Sequence, residues 1–481
     1  MLTIALLVLA QPPSEPLAEP SARLSATDPA DIRPNVLFIA VDDLRPEIAS
    51  FGVGLMKTPN LDRLAARGTR FERAYCNVPV CGASRASLMT GVRPSPSRFR
   101  SYDCFAEQEA PEAIPLNTHF SSHGYRCEAV GKVYHNAGDH ADGWAVPVKR
   151  LRAPRYALKQ SSDAAKTNPN PKKRGAVIEH AEVDDSFYVD GRNTAYSVGR
   201  IGELASGDQP WFLAVGLYKP HLPFVMPERY WRQYGPADPE QYFIPPNLPR
   251  GAIHQSGEIR SYAGVKQKGT LPLPLARDLI RGYRACVSYT DRNVGQLLDA
   301  LDASGAAENT IVVLWGDHGW NLGEHTLWCK HSCFETSCRT PLMIAAPKHS
   351  GGQRVRSLVE FTDIYPTLLE LAGLPAPRGT HPDPTRESQL DGQSLVPLLD
   401  DPEGKIREWA ISRYGNGETI KTHRYRYTEY LDGKGKVTGR MMFDHQTDPE
   451  EIVNIADDPN AAEHRQRLAS TLHKHRGRDG G

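Results

Sequence analysis

The sequence predicts an α/β fold, a large mixed sheet of mostly parallel strands flanked by helices, with a smaller C-terminal α+β subdomain. Three observations support this prediction. Four apolar runs rich in Val and Ile are typical of strands that are buried on both faces. Helical patterns lie between them, for example at 59–67 and 289–304. Polar residues follow each run, and ligands of parallel sheets bind beyond the carboxyl ends of the strands.

The four runs share one order, a buried strand followed by acids, lysines or histidines. One polar strand end is ordinarily a solvated loop, but four ends with these residue types favour a common site. We therefore expect the polar side chains to lie close together. The runs and the residues that follow them are 36–41 with Asp42 and Asp43, 125–130 with Lys132 and His135, 211–217 with Lys219 and His221, and 311–315 with Asp317 and His318.

Asp42, Asp43 and Asp317 form a predicted carboxylate cluster. Carboxylates brought together repel one another unless a cation lies among them. Oxygen ligands favour calcium or magnesium over zinc, whereas the nitrogen of His318 is less usual for calcium and leaves the metal open. The alternative for Asp42 and Asp43 is that they cap a helix or a turn.

Donors for an anion are predicted at the same place. Lys132, His135, His221 and Lys330 supply cationic or proton-bearing groups, and Arg85 supplies a bidentate guanidinium. The chain has 57 basic and 57 acidic residues, so no overall field recruits nucleic acid or a membrane surface. An anionic substrate must therefore be attracted by a local cluster. Taken singly, each of these side chains could instead be a solvated loop residue or a satisfied hydrogen-bonding group.

The most informative segment is 81–85, Cys-Gly-Ala-Ser-Arg, which continues to Gly91. Residues 84–89 predict a helix that ends near Gly91. Cys81 would then lie at the positive N-terminal end of the helix, where an oxyanion or sulfate is favoured. The alternative is a small buried apolar residue, as free cysteines usually are.

Residues 1–33 predict a signal peptide and a linker. A short apolar run ends at Ala10 in a plausible cleavage site, and a segment rich in Pro, Ser and Ala follows. The run is too short to span a membrane. We expect a secreted or periplasmic protein with no membrane span. The alternatives are a disordered apolar tail or a start codon placed too late.

The chain has eight cysteines. If Cys81 is modified, an odd number remains, so at least one should be free or paired outside the chain. Cys329, His331, Cys333 and Cys338 fit no common zinc spacing well, so a local disulfide or free thiols are favoured over zinc.

Together these segments resemble the type I, formylglycine-dependent sulfatases of the alkaline-phosphatase superfamily, and most of all their iduronate-2-sulfatase-like branch. The resemblance covers about residues 34–457. The common signature has proline where this chain has Ala83. His318, where many sulfatases have asparagine, points to the branch. The matching segments are 35–45, 58–64, 81–91, 131–135, 219–224, 316–320, 323–325, 328–330, 340–342, 363–368, 424–427 and 443–454.

The resemblance implies a role for each site residue. A separate modifying enzyme would oxidise Cys81 to formylglycine (3-oxoalanine), whose hydrate Arg85 and Lys132 would steady. His135 would act on the second hydroxyl of the hydrate. His221 and Lys330 would contact the sulfate and help to protonate the leaving oxygen. The residues that would hold one calcium, or alternatively magnesium, are Asp42, Asp43, Cys81, Asp317 and His318.

The implied chemistry explains why an aldehyde is needed. One hydroxyl of its hydrate attacks sulfur and releases the sugar alcohol. Deprotonation of the other hydroxyl then restores the aldehyde and expels sulfate, so that water need not attack the ester. The metal and the basic residues stabilise the charge that develops on the transferred group.

A catalytic domain is predicted at 34–385 and a C-terminal subdomain with a small antiparallel sheet at 386–481. The Pro-rich segment 374–386 marks the connection. Beyond it, Gly turns separate short strands expected at 408–414, 424–431 and 440–443. A polar helix is expected at 461–475.

Two features are predicted to meet a sulfated oligosaccharide or polysaccharide, one that carries a 2-O-sulfated uronic acid or a related sugar. Trp320, next to His318, is a candidate platform for a sugar ring; the alternative is a core residue. The insertion at 155–185 either shapes the substrate mouth or is mobile. Its basic residues, which could meet carboxylates or further sulfates, are Lys159, Lys166, Lys172, Lys173 and Arg174.

Two other functions compete with glycan desulfation. One is a phosphoester or phosphonate hydrolase on the same superfold. A Ser or Thr nucleophile would have favoured that function, and Cys81 disfavours it. The other is an unmodified, non-catalytic glycan-binding protein, because the modification depends on another enzyme.

Overall fold

The computed structural model describes residues 33–240, 242–378 and 387–479. Apart from Arg33, the predicted signal peptide and linker lie outside the described residues, as does the predicted boundary between residues 385 and 386. Both remain predictions. Within the described ranges, no helix has the length and apolarity needed to cross a bilayer.

The elements alternate between strands and helices through most of the chain. The strands are β1 Asn35–Val41, β2 Thr69–Tyr75, β3 Arg126–Gly131, β4 Arg174–Ala176, β5 Ile178–Ala181, β6 Trp211–Leu217, β7 Phe224–Pro227, β8 Tyr262–Ala263, β9 Thr310–Gly316, β10 Asn321–Leu322, β11 Trp328–Cys329, β12 Arg339–Ala345, β13 Gln353–Val355, β14 Val359–Glu360, β15 Ala410–Tyr414, β16 Gly417–Lys421, β17 Tyr425–Leu431 and β18 Val437–Asp444. The helices are α1 Pro59–Arg67, α2 Cys81–Thr90, α3 Ala106–Glu109, α4 Leu116–Ser122, α5 Lys159–Thr167, α6 Val189–Ala205, α7 Glu228–Trp231, α8 Leu273–Ala303, α9 Glu335–Cys338, α10 Ile364–Leu371, α11 Val396–Asp400 and α12 Ala462–Asp479.

The predicted fold class is confirmed. The main sheet has the strand order β13-β2-β12-β9-β1-β6-β3, with β14 beside β2. The four strands predicted from apolar runs are β9, β1, β6 and β3, which are adjacent and parallel. Strand β12 is antiparallel to both of its neighbours, so the sheet is mixed. The carboxyl ends of these four parallel strands therefore meet at one edge.

Strand β1 shows why these runs are apolar throughout. Leu37, Ile39 and Val41 pack into one apolar cluster, which includes side chains of α8. The alternate residues face the opposite cluster, which includes side chains of α2 and α4. Because both faces of the strand are covered, residues 36–41 are all apolar, and the first polar side chain, that of Asp42, follows the end of the strand and is itself buried.

Helix α2 begins at Cys81 and ends before Gly91, which has a φ of 68°. All ten of its residues are buried. A β-carbon on Gly82 would lie 2.1 Å from the carbonyl oxygen of Tyr102, so glycine lets the loop that carries Tyr102 approach the start of the helix. Cys81 is therefore held between a helix N-terminus and a closely packed loop.

A helix and a strand show how the structure departs from the sequence prediction. The helix expected at 289–304 is the C-terminal half of α8, which begins at Leu273 and is anchored upstream by buried residues such as Leu279 and Tyr283. In the C-terminal sheet, β16 was not predicted because its run, Gly-Glu-Thr-Ile-Lys, has one large apolar residue. The strand order of this sheet is β15-β16-β17-β18. Glu418 of β16 pairs with Arg413 and Arg476.

Candidate active site

The polar residues predicted at the strand ends lie together in the structure. Asp42 and Asp43 follow β1, and Asp317 and His318 follow β9 on the neighbouring strand. On the other side of β1, β6 leads to His221 and β3 leads to Lys132. All of these strands are parallel, so their polar ends share one edge of the sheet.

Asp42 lies between two cations. Its Oδ2 accepts a hydrogen bond from Lys132 Nζ at 2.7 Å, and its Oδ1 accepts one from Arg85 Nη2 at 3.1 Å. Burial alone would raise the pKa of Asp42, but Lys132, His221 and Arg85 hold that pKa well below its ordinary value. Asp42 is therefore ionised in this environment.

Arg85 is fully buried and is occupied on every side. Its Nε donates to Asp317 Oδ2 at 2.9 Å, and its Nη1 donates to the carbonyl oxygens of Lys132 and Val133. The guanidinium does not line the cavity described below. It binds the carboxylates of the cluster instead of presenting an open fork to an anion.

Asp43 forms the centre of the second half of the cluster. It has a positive φ of 62°, and its N–H donates to Asp317 Oδ1 at 2.9 Å. Lys330 Nζ lies 3.0 Å from Asp43 Oδ1, and His318 Nε2 lies 3.3 Å from the same oxygen. Burial raises the pKa of Asp43 although Lys330 opposes this.

Cys81 reaches this cluster from the first position of α2. Its Sγ lies 3.7 Å from Asp43 Oδ1 and 3.2 Å from His318 Nε2. Burial, reinforced by Asp42, raises the pKa of the thiol well above its ordinary value. The unmodified side chain is thus a protonated thiol and a poor nucleophile.

The five predicted metal ligands fit a hard divalent cation. Ligand atoms of Asp43, Cys81, Asp317 and His318 lie within 4.8 Å of one another, as do those of Asp42, Asp43, Cys81 and His221. The donors are mainly carboxylate oxygens, which calcium and magnesium prefer. Three buried carboxylates facing one another are the arrangement that a cation would stabilise.

The cluster opens into a cavity of about 1060 Å³. The predicted residues that line it are Asp42, Cys81, Lys132, His135, His221 and Lys330. Burial, together with Lys132, lowers the pKa of His135 to about 4, so its ring is neutral at physiological pH. Its Nδ1 is buried and has no hydrogen-bond partner among the described residues. The ring of His135 therefore lines the cavity, while its Nδ1 is enclosed by the protein.

His221 donates from Nδ1 to the carbonyl oxygen of Leu222, at 2.6 Å. Its Nε2 lies 3.1 Å from Glu258 Oε1 and 3.9 Å from Asp43 Oδ2. The segment that carries His221 is fixed by Asp190, which accepts the backbone N–H groups of Tyr218 and Lys219. The ring is thereby aimed at the same space as Lys330.

Trp320 does not reach this cavity. It is fully buried, stacks on Tyr283 with ring centroids 6.2 Å apart, and packs against Phe224. The prediction of a sugar platform at Trp320 is wrong, because the ring packs in the core and does not line the cavity. Its contact with the site is indirect, through Lys330 Nζ 5.0 Å from the ring centroid.

The sequence missed an aromatic residue and several cations at the cavity. Tyr102 is 58% exposed, lines the cavity, and meets His135 edge to face at 5.8 Å. Arg152 and Arg155 line it from the segment before α5. No strand end or motif marks these residues, since they come from loops that only the fold brings together.

The basic insertion is divided between two environments. Lys172 and Arg174 line the cavity, and Arg174 lies over the ring of Tyr262. Lys159 and Lys166 instead pair with Asp163 on the exposed helix α5. The insertion forms α5, β4 and β5. Only some of its basic residues line the cavity.

The eight cysteines are all buried and free. The segment 329–338 therefore contains free thiols, one of the two favoured alternatives. Its cysteines and His331 belong to no metal-ligand group among the described residues. Glu335, His445 and Glu451 do form a further group of possible ligands. Arg426 occupies its centre, however, pairing with Glu335 and with Glu451 at 2.8 Å. This group joins the C-terminal sheet to α9.

Comparisons with known proteins agree with this geometry. A family model described as Sulfatase matches residues 34–374, and one described as N-sulphoglucosamine sulphohydrolase, C-terminal, matches 323–478. A protein named sulfatase from Formosa agariphila is 33% identical over 458 residues, covering 88% of this chain and 83% of that protein. Iduronate 2-sulfatase from Mus musculus is 29% identical over 516 residues, covering 90% and 92%.

Solved structures share the fold. One, determined in complex with its substrate D-glucosamine-2-N,6-O-disulfate, has a TM-score of 0.71 at 22% identity and covers 93% of this chain and 98% of its own. The phosphonate monoester hydrolase of Agrobacterium radiobacter has a TM-score of 0.72 at 25% identity and covers 93% and 96%. The architecture is therefore that of the sulfatases in the alkaline-phosphatase superfamily.

Proposed function

The chain belongs to the sulfatase family, and we propose that it hydrolyses a sulfate ester on a glycan, a 2-O-sulfated uronic acid or a related sugar. The observation that carries the proposal is the place of Cys81. It begins a buried helix, contacts Asp43 and His318, and opens into the cavity. The helix N-terminus and the neighbouring cations favour an anionic reacting group there.

We propose that Cys81 is converted to formylglycine by a modifying enzyme, and that the hydrated aldehyde supplies the nucleophile. Lys132 lines the cavity beside Asp42, where its ammonium can steady a developing negative charge. His135 is neutral and lines the same cavity as Cys81, so its ring is proposed to accept a proton from a group bound there.

One divalent ion, calcium by preference and magnesium as the alternative, is proposed to bind Asp42, Asp43, Cys81, Asp317 and His318. It would supply positive charge next to the transferred sulfate. Arg85 supports this site by holding the carboxylates of Asp42 and Asp317 in place. It is thus proposed as a positioning residue.

His221 and Lys330 are proposed to contact the sulfate and to protonate the leaving oxygen. His221 Nε2 and Lys330 Nζ both face the cavity and share Glu258 as a partner. Lys330 keeps its proton, because despite burial Asp43 raises its pKa well above the ordinary value. It is therefore suited to bind an anion.

The outer cavity supports a substrate with more than one negative charge. Arg152, Arg155 and Lys172 line it, and among the described residues no carboxylate forms an ion pair with them. Because the chain as a whole has no net charge, this concentration of unpaired cations is local. A carboxylate or a further sulfate on the glycan would complement it.

The test of the proposed function is sulfate release from defined oligosaccharides sulfated at the 2-O, 3-O, 4-O or 6-O position. We expect preference for one 2-O-sulfated sugar at the non-reducing end. Equal rates at all positions, or activity confined to small aryl sulfates, would contradict the assignment of substrate while leaving sulfatase activity in place.

The double variant Arg155→Ala, Lys172→Ala should raise KM for a sulfated oligosaccharide about threefold, because exposed ion pairs each contribute little. Its kcat should stay nearly unchanged, and KM of the unaltered protein should rise with salt. Steady-state kinetics at two ionic strengths measure both effects. The matched control is Lys159→Ala, Lys166→Ala, which removes two cations that do not line the cavity. An equal rise in the control would show that net charge, and not the cavity wall, binds the glycan.

We also propose that the chain is secreted or periplasmic, on the basis of the apolar run that ends at Ala10. Sequencing the N-terminus of the protein from its native compartment tests this. Protein that retains Met1 and remains in the cytoplasm would contradict it.

A further inference from the structure

Glu258 is a carboxylate in the cavity wall that the proposed mechanism does not use. Its Oε1 lies 3.1 Å from His221 Nε2, and its Oε2 lies 2.9 Å from Lys330 Nζ. These are the two groups proposed to receive the sulfate. Glu258 therefore holds both of them in the absence of substrate.

The position of Glu258 is built into the fold. Ser256 accepts a hydrogen bond from the N–H of Trp328 at 3.0 Å, and Trp328 lies two residues before Lys330. Arg260 Nε donates to the carbonyl oxygen of Gln255 at 2.5 Å. The loop with Glu258 is thus tied to the segment that carries Lys330.

Glu258 is ionised in this position. Burial opposes ionisation, but Lys330 and His221 hold the pKa of Glu258 well below its ordinary value. A bound anion must either share His221 and Lys330 with the Glu258 carboxylate or displace that carboxylate from them. The repulsion grows in proportion to the charge on the anion.

Sulfate monoesters and the product differ in that charge. The ester carries one negative charge, whereas inorganic sulfate carries two, as does a phosphate monoester above its second pKa. A fixed carboxylate beside the bound group therefore disfavours the product and phosphate esters more than the substrate.

We propose that Glu258 is a specificity-determining residue that selects against dianions at the sulfate position, so that a monoanionic sulfate ester binds and dianionic sulfate leaves. This rests on the proposed function in one respect, that His221 and Lys330 contact the sulfate.

The test is Glu258→Gln in the full chain with its metal and with the aldehyde at Cys81 verified by mass. Calorimetry at pH 8 measures Kd for three probes: benzenesulfonate, a monoanion, and inorganic sulfate and phenyl phosphate, which are dianions. We expect Kd for both dianions to fall about tenfold in the variant, and Kd for benzenesulfonate to fall at most about threefold. An equal change for monoanion and dianions, or no change, overturns the proposal.

Two further variants serve as controls for the charge at position 258 and for the loss of an acidic residue elsewhere. Glu258→Asp keeps the charge on a shorter side chain and should give a smaller change of the same kind, which also serves if Glu258→Gln does not fold. Glu182→Gln removes an exposed acid that pairs with Arg232 outside the cavity and should leave all three Kd values unchanged. If Glu182→Gln changed the Kd values as Glu258→Gln does, the effect would not be local to the cavity and the proposal would be overturned.

Turnover separates this inference from the proposed function. If the unaltered protein releases no sulfate from any sulfate ester although the aldehyde is present, the proposed function fails. The three Kd values still decide the charge selection by Glu258. If Glu258→Gln loses turnover while its Kd values do not change, Glu258 only positions His221, and selection against dianions is wrong.

Discussion

Replacing Cys81 by alanine is expected to lower sulfate release by about 10⁴-fold or more, because the proposed nucleophile derives from this side chain alone. The thiol lies in a buried environment against Asp43 and His318, so its loss leaves a small void. The expected decrease in the free energy of unfolding is about 1 kcal/mol. Steady-state kinetics and thermal unfolding measure the two effects separately.

The matched control is Cys127→Ala, which removes another buried thiol, on β3 and away from the cavity. It should lose similar stability and keep its activity. Peptide mass spectrometry of the unaltered protein should show an aldehyde in place of the thiol at position 81. Fully active protein that carries only a thiol there would exclude formylglycine as the source of the nucleophile.

Much of the fold could be predicted because the central sheet is buried on both faces. Strands β1, β6 and β9 are continuous apolar runs, and each ends where the chain reaches the polar edge. Helix α1 was predicted with its observed bounds, since Pro59 marks its start and Gly68 follows its end. These are local signals that tertiary packing reinforces.

Residues that depend on long-range placement could not be predicted in this way. Trp320 is close in sequence to the site, but its ring packs in the core against Tyr283 and Phe224. Glu258 lies in a loop without a motif. Contacts between residues distant in sequence, among them the hydrogen bond between Ser256 and Trp328, bring it to Lys330. Proximity in sequence thus led to a wrong role for Trp320. Glu258 was not predicted at all, because no local pattern marks it.

The role of Arg85 also depends on partners that are distant in sequence. The sequence suggested that Arg85 would bind an anion, whereas in the structure it bridges Asp42 and Asp317. A buried guanidinium needs carboxylate partners more than it needs a substrate, because an unpaired buried charge is costly. Its role follows from this pairing and bears directly on the metal site.

Asp317→Asn is accordingly expected to lose the metal and to lower activity by about 10³-fold. Asp317 Oδ1 accepts the N–H of Asp43, and Oδ2 accepts from Arg85 Nε. The amide can replace the first acceptor, but its NH₂ group then faces the N–H of Arg85. The variant therefore has both a weaker cation site and a poorly paired buried arginine, which should cost about 3 kcal/mol of stability.

Metal content per chain, kcat/KM and thermal unfolding distinguish these consequences, with Asp291→Asn as the control. Asp291 is also a buried carboxylate, and it accepts the backbone N–H groups of Asn60 and Leu61 at the start of α1, away from the cluster. Its amide variant should lose stability and keep the metal, so instability alone cannot mimic metal loss. Asp317→Asn that retains one metal ion and full activity would refute the proposed ligand set. Recovery of chelator-treated protein by zinc, and not by calcium or magnesium, would reassign the ion while preserving the site, because the same donors would then be selecting a softer metal.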